Sequence, residues 1–515
     1  MSKKRIAEAT FIVVILGVLS KVLGFAREQM IAVFFGATGR TDAYVVANMI
    51  PVLITGLISG PLSTAFLPVF ASHVAKGDRE GASRLASSMI TISTVGVLFL
   101  AVMAMFPADH LVRLVAPGFS GETFSSAVAL TRVFLPAMVI PLLSSFAKTI
   151  LNSNDHFAVP ALAPSIQNLV IVAVVALFAP TFGVTSLAVA VVLGYLAAFA
   201  VQVPSMVKVG GWPKATFRVD DSVTKVFKLS WPLMAGSLFS QFYLFVDRNL
   251  ASHLPEGSIA ALSFADRIRQ VPLGLFVAAV VTVVYPSLSG MWAQKDQDGF
   301  KETTIMGLRY VEFVCIPAAL GLMVLANPVV RVIFQHGAFT REATALTASA
   351  LLAYCPALVG MAAIQIINVA FYSSQETRIP VLLAAGVAAL NTVLDLLLIK
   401  PFGHVGLALA NSAANLLGAL AGLHALNRMS RLPLRSLFRS LTKILLASGT
   451  MGVVALALSR ATGFHRAAES ILRDAVSAGI VIGGAGLSYL LLAAVLKCEE
   501  LSAFLGLLKR SKGSP

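Results

Sequence analysis

Lys21, Arg27, Arg132, Lys148, Arg248, Arg267 and Arg269 all fall inside long apolar runs of this chain. A cationic side chain at the centre of a bilayer-spanning helix costs about 2.5–3.5 kcal/mol on insertion scales, so it needs a water-filled cavity or an anionic partner. The chemistry such residues can do is to hold an anion inside the membrane, which points to an anionic cargo. At 100° per residue, Ser20, Lys21, Gly24, Arg27 and Glu28 share an arc of roughly 120° on one helix face. In a later run Ser263, Asp266, Arg267 and Gln270 form a similar stripe, with Arg269 turned away. The competing reading is a set of salt bridges that lock helices together, Arg27 with Glu28 and Arg267 with Asp42, Asp247 or Asp266. Arg132, Lys148 and Arg269 lie off the stripes or near the ends of runs, where long cationic side chains reach out to headgroups.

A second constellation is acidic. Asn391 and Asp395 stand four apart and so share a helix face, while Asp247, Asn411 and Ser412 sit inside other runs. Carboxylate and amide oxygens suit a hard cation, which makes Asp247, Asn391, Asp395 and Asn411 a candidate sodium or proton coupling site. The alternative is a hydrogen-bonded packing network in which Arg248 balances Asp247. The sequence presents no Ser/His/Asp set, no phosphate-binding glycine loop and no cluster with metal-ligand spacing, so neither an enzyme nor a resident cofactor is expected.

The elements that must position these groups are membrane helices. Hydrophobic residues make up 57% of the 515, only 12% are charged, and mean hydropathy is +0.85, far outside the range of soluble domains. About fourteen apolar stretches, from residues 8–35 to residues 475–496, are long enough to cross some 30 Å of hydrocarbon. The fold class is therefore an all-α polytopic membrane protein. Lys3-Lys4-Arg5 followed by an apolar run imitates a secretory signal, but the run continues to Phe35 and reads as the first span. Cys315, Cys355 and Cys498 lie in or near apolar segments and lack the spacing of a disulfide framework.

A net charge of +15 raises the question of nucleic acid, and its distribution answers no. Placing the N-terminus in the cytoplasm puts most Lys and Arg on the cytoplasmic side, as the positive-inside rule requires. The cluster Arg428, Arg431, Arg435, Arg439 and Lys443 then anchors helix ends to anionic membrane lipids. An even number of spans returns the C-terminus to the cytoplasm, and a monomer is expected.

The chain also repeats itself. At an offset of 220, Pro136 matches Pro356, Pro160 matches Pro380 and Phe182-Gly183 matches Phe402-Gly403; at 218, Gly39 matches Gly257, Pro68 matches Pro286, Asp78 matches Asp296 and Gly81 matches Gly299. Six spans per copy give both copies one membrane orientation, related by a pseudo-two-fold axis along the membrane normal. The expected domains are a six-helix lobe over 1–215, a second over 216–430, and two extra helices with a cytoplasmic tail over 431–515. Matched prolines suggest kinks or hinges. Residues 107–119 and 327–339 suggest short interfacial helices or ordered loops.

With Ser20-Lys21-Val-Leu-Gly24-Phe-Ala-Arg27-Glu28, Thr41-Asp42-Ala-Tyr44, Ala265-Asp266-Arg267 and Pro286-Ser-Leu, the chain resembles the MurJ (MviN) family over nearly its whole length. That family belongs to the multidrug/oligosaccharidyl-lipid/polysaccharide exporter superfamily. The resemblance implies a flippase of the bacterial cytoplasmic membrane that carries lipid II, the undecaprenyl-pyrophosphate-linked peptidoglycan precursor, with sodium or membrane-potential dependence. It also implies that Lys21, Arg27, Arg267 and Asp42 contact the pyrophosphate and sugar head; the polar stripes themselves place Ser20, Gly24, Glu28 and Asp266 along the cavity that holds it. Lys21 stands where many members have arginine, Thr55 or Gly56 where many have an arginine on the second span, and Gln270 where an acidic residue is frequent. A flippase for another undecaprenyl-linked glycan, or a cation-coupled drug exporter of the same fold, would use the same architecture.

Overall fold

The computed structural model describes residues 3–210, 214–464 and 471–502, with the side chains of 3–11, 239, 240, 243, 471 and 472 left aside. The side chains of Lys3-Lys4-Arg5 and most of the expected cytoplasmic tail lie outside the described residues. The chain folds into α1 (Lys3–Phe35), α2 (Gly39–Ala75), α3 (Arg79–Met105), α4 (Ala108–Val115), α5 (Gly121–Ala137), α6 (Val139–Ser153), α7 (Ala158–Phe182), α8 (Val184–Ala200), α9 (Val203–Lys208) and α10 (Asp221–Ala251). There follow α11 (Ser258–Pro272), a π-helical turn (Leu273–Val277), α12 (Ala278–Ala293), α13 (Gln297–Val324), α14 (Ala326–Phe334), α15 (Arg341–Ser373), α16 (Arg378–Phe402), α17 (His404–Ser430), α18 (Leu434–Ala461) and α19 (Ile471–Val495). Among the described residues 12 helical spans are long and apolar enough to cross a bilayer. The long helices α1 and α10, of 33 and 31 residues, bring the total to the expected fourteen or so.

Helix boundaries recur at the offsets read from the sequence, because the same residues set them. Asp78 caps α3 by accepting from the Gly81 N–H at 2.8 Å, and Asp296 caps α13 by accepting from the Gly299 N–H at 2.9 Å. Residues 107–119 and 327–339, for which an interfacial helix or an ordered loop was expected, contain the short helices α4 and α14. The prolines divide in their effects. Pro160 and Pro380 are the third residues of α7 and α16, where a missing N–H costs nothing, so they start helices rather than kink them. Pro136 lies at the break between α5 and α6, whereas its partner Pro356 sits inside the unbroken α15. Ser412 of α17 explains the tolerance: its Oγ accepts from the Ala357 N–H at 3.2 Å and donates to the Ala353 carbonyl at 2.5 Å, bridging the disturbed turn.

By packing, the chain divides into two units, residues 1–260 with 336–340, and residues 261–335 with 341–515. In the first, α1 lies on α7, α7 on α8, and α2 against α5, α6 and α10. The packing unit thus extends past the repeat boundary at 215 because α10 rests on α2. In the second, α15 packs on α13 and α17, and α16 on α17. The two helices outside the repeat, α18 and α19, close over α13 through Phe313, Ile444, Met451, Val481 and Tyr489. The Tyr489 hydroxyl donates to the Phe313 carbonyl at 2.7 Å. Arg331 of α14 is buried, donating to Asp474 Oδ1 at 2.8 Å and to the Phe464 carbonyl at 2.9 Å.

Candidate substrate-binding charges

The polar stripe of α1 lies against α7. Arg27 keeps 21% of its side chain exposed and donates to Glu28 Oε1 at 2.6 Å and to Asn168 Oδ1 at 3.1 Å. The Arg27–Glu28 ion pair joins adjacent residues of α1, and the link to another helix is the bond to Asn168. Asn168 of α7 also donates from Nδ2 to the Ser20 carbonyl at 3.2 Å. Asn168 lies beside Gly24, where a Cβ would stand 3.4 Å from its Nδ2. Asn168 and Glu28 thus hold the two Nη atoms and fix the guanidinium plane, while Nε is buried without a hydrogen-bond partner among the described residues. Lys21 on the same helix is exposed. Asn168 was not singled out in the sequence, although an asparagine within an apolar run was a signal.

Asp42 is 2% exposed and turns its carboxylate to the backbone. Oδ2 accepts from the Gly257 N–H at 2.6 Å and Oδ1 from the Ala260 N–H at 2.7 Å. It thereby satisfies orphan donors at the start of α11 and places a negative charge at the positive end of that helix. Gly257 has φ +87, and a Cβ there would come 2.4 Å from the Ala37 carbonyl oxygen, so only glycine fits.

On α11 the roles differ from the expected stripe. Arg269, expected to turn away and reach for headgroups, is 5% exposed and is the buried cation of the helix. It donates through Nε to Asp266 Oδ1 at 3.1 Å and through Nη1 to Asn411 Oδ1 at 2.8 Å, and its guanidinium stacks 4.7 Å from the Tyr354 ring centroid. A three-residue step along the helix puts it beside Asp266, while α15 and α17 supply the tyrosine and the amide. Asp266 also accepts from Gln270. Arg267 is exposed, as are Arg132 and Lys148.

Of the acidic constellation, Asn391 donates to Asp395 Oδ2 and both are buried. Asn391 Oδ1 is buried without a hydrogen-bond partner among the described residues, an oxygen that a hard cation could use. Asn411 Oδ1 is engaged by Arg269, which makes it a poor ligand for a second cation. Asp247 is buried in α10 of the other packing unit. Among the described residues no group of three His, Cys, Asp or Glu gathers as a metal site.

One arrangement corrects the sequence reading that found no Ser/His/Asp set: His73 Nδ1 lies 2.8 Å from Asp78 Oδ2, and its Nε2 lies 3.1 Å from Ser222 Oγ. Asp78 is already committed to capping α3, and the chain of bonds ties α2 and α3 to the start of α10. The Gly81 N–H and the His73 ring hold the Asp78 carboxyl below the usual carboxylate range.

Comparison with known proteins agrees with this fold. A family model described as lipid II flippase MurJ matches residues 31–471. A probable lipid II flippase MurJ of Vibrio cholerae is 33% identical over 443 residues, covering 82% of this chain and 83% of that protein. A lipid II flippase MurJ of Burkholderia cenocepacia is 32% identical over 413 residues, 78% of this chain and 80% of that protein. A solved lipid II flippase MurJ in an inward closed conformation superposes with a TM-score of 0.79 at 27% identity, covering 94% of this chain and 98% of that one. A multidrug resistance MATE family transporter of the MOP superfamily shares the fold, with a TM-score of 0.70 at 16% identity over 81% of this chain and 97% of that one. The chain belongs to the lipid II flippase MurJ family.

Proposed function

We propose that the protein flips lipid II, the undecaprenyl-pyrophosphate-linked precursor of peptidoglycan, across the bacterial inner membrane by alternating access. The observation that carries this reading is the presence, in a chain of this family, of cations fixed on membrane helices: Lys21 and Arg27 on α1, and Arg267 on α11. A diphosphate moved toward hydrocarbon must keep counter-charges or incur its full desolvation cost. Arg27, oriented by Asn168 and Glu28, supplies a planar fork; Lys21 and Arg267 supply exposed point and fork charges. Ser20, Gly24 and Glu28 surround the α1 cations, Asp266 holds Arg269 beside Arg267, and Asp42 positions the start of α11. No covalent bond changes in this cycle.

The same reading takes the protein as a monomer surrounded by membrane lipids, with both termini in the cytoplasm. Coupling to sodium or protons is proposed to run through Asn391 and Asp395, supported by their burial and by the unused Asn391 Oδ1. Transport rates indifferent to sodium and pH in both wild type and Asp395→Ala would assign this pair to packing instead.

Complementation tests the function. Expressed in a cell depleted of its own lipid II flippase, the protein should restore growth and expose lipid II to an external probe. Failure to do so, with the protein present in the membrane, would reject the reading.

A further inference from the structure

Glu312 lies near the middle of α13, ~22 Å along the helix from Gln297 at 1.5 Å per residue. It is 4% exposed, and neither carboxyl oxygen has a hydrogen-bond partner among the described residues. Its neighbours along the same face, Leu308, Cys315 and Ala319, are buried as well. Ionised carboxylates inside a bilayer-spanning bundle are held by cations or by several donors, and an uncompensated one costs several kcal/mol.

No ionisable group on α13 or on the elements packed against it hydrogen-bonds to the Glu312 carboxyl among the described residues. On α13 itself Arg309 is held by Glu499 and Glu500, at 2.8 Å and 2.5 Å. On α14 Arg331 is bound to Asp474, and on α18 Lys443 donates to the Lys497 carbonyl. The α15 groups in its middle are Tyr354, under the guanidinium of Arg269, and the buried Cys355, with Arg341 and Glu342 in its first turn and Tyr372 in its last. Arg435, Arg439 and Arg460 lie towards the ends of α18, Tyr285 belongs to α12, and the π-helical turn carries no ionisable group. The α19 hydroxyl of Tyr489 is given to the Phe313 carbonyl.

We propose that Glu312 is a proton-binding site: its carboxyl carries a proton in the folded protein and releases it only when water reaches the interior of α13. Protonation state and helix packing are then linked, since a conformation that wets α13 binds the proton more weakly and alkaline conditions favour that conformation. The proposal stands apart from the identity of the cargo, because the site is defined by burial within one bundle.

Infrared spectroscopy of the purified full-length protein in lipid nanodiscs, prepared with carboxyl-¹³C glutamate, tests it. At pH 8 a protonated carboxylic-acid band that shifts with the glutamate label is expected, and it should be lost in Glu312→Gln. The labelled wild type decides the matter even if the variant fails to fold: absence of a label-shifted acid band means an ionised Glu312 and overturns the proposal. A band that persists unchanged in a folded Glu312→Gln protein overturns it too.

Discussion

Replacing Asp42 by asparagine separates a residue that builds the site from one that touches the cargo. The carboxylate accepts two backbone N–H groups, at 2.6 Å and 2.7 Å, and is 2% exposed, so solvent screening does little to weaken it. Asparagine offers one oxygen, and its amide nitrogen then faces the remaining N–H. The change loses a charge-assisted bond worth about 1.5–3 kcal/mol and strands a buried donor at about 1–3 kcal/mol. The total, on the order of 3–5 kcal/mol, exceeds a hundredfold in an equilibrium constant at about 1.4 kcal/mol per decade. Thermal unfolding of the detergent-purified protein, followed by fluorescence-detected size exclusion, should show Asp42→Asn unfolding at a markedly lower temperature. Lipid II binding by the fraction that remains folded should be near wild type. An unchanged unfolding temperature combined with selectively weakened lipid II binding would refute the reasoning and make Asp42 a cargo contact.

Arg269→Ala should lower the yield of folded protein sharply, because breaking a buried pair costs about 3–5 kcal/mol; size exclusion checks this, and Arg269→Lys should recover only part of the loss. Asn168→Leu should leave the fold intact and slow lipid II flipping roughly tenfold by unfixing Arg27, equivalent to about 1.4 kcal/mol; equal rates would show that Arg27 needs no positioning. The Asp78 carboxyl is held below its unfolded range by the Gly81 N–H and His73, so it stabilises the protein above that range and the contribution fades as pH falls through the folded value. The thermal gap between wild type and Asp78→Ala should therefore be present at pH 7 and close in acid, and a gap that widened in acid would contradict this sign.

Much of the fold was legible because it is written in hydropathy and in repeated punctuation. The Asp78/Gly81 and Asp296/Gly299 pairs mark two helix starts by one capping mechanism, and the Gly183 and Gly403 breaks share φ values of 54° and 56°. The face of α1 that meets α7 was legible as well, whereas on α11 the expected stripe parted Arg269 from Asp266, which it binds, and the distant partners of these charges were not legible at all. Helical periodicity says which side chains share a face; it does not say which residue from a distant helix arrives there. Asn168 meets Arg27 from 141 residues away, and Asn411 meets Arg269 from 142 residues away. Arg269 was misassigned for this reason, since its burial depends on Tyr354 and Asn411 rather than on its own segment. Asp42 similarly reads as a charge for a cargo until the unpaired N–H groups of another helix are brought to it.

Lys21, Arg27 and Arg267 are proposed to carry the diphosphate of lipid II through the membrane. Initial rates of lipid II translocation in proteoliposomes, measured for wild type, Arg27→Ala, Arg267→Ala and Arg132→Ala at equal reconstitution, test it most directly. Loss of a charge-assisted contact worth about 1.5–3 kcal/mol should slow Arg27→Ala and Arg267→Ala by roughly 10- to 100-fold, with Arg132→Ala close to wild type. Equal rates in all four proteins would contradict the account.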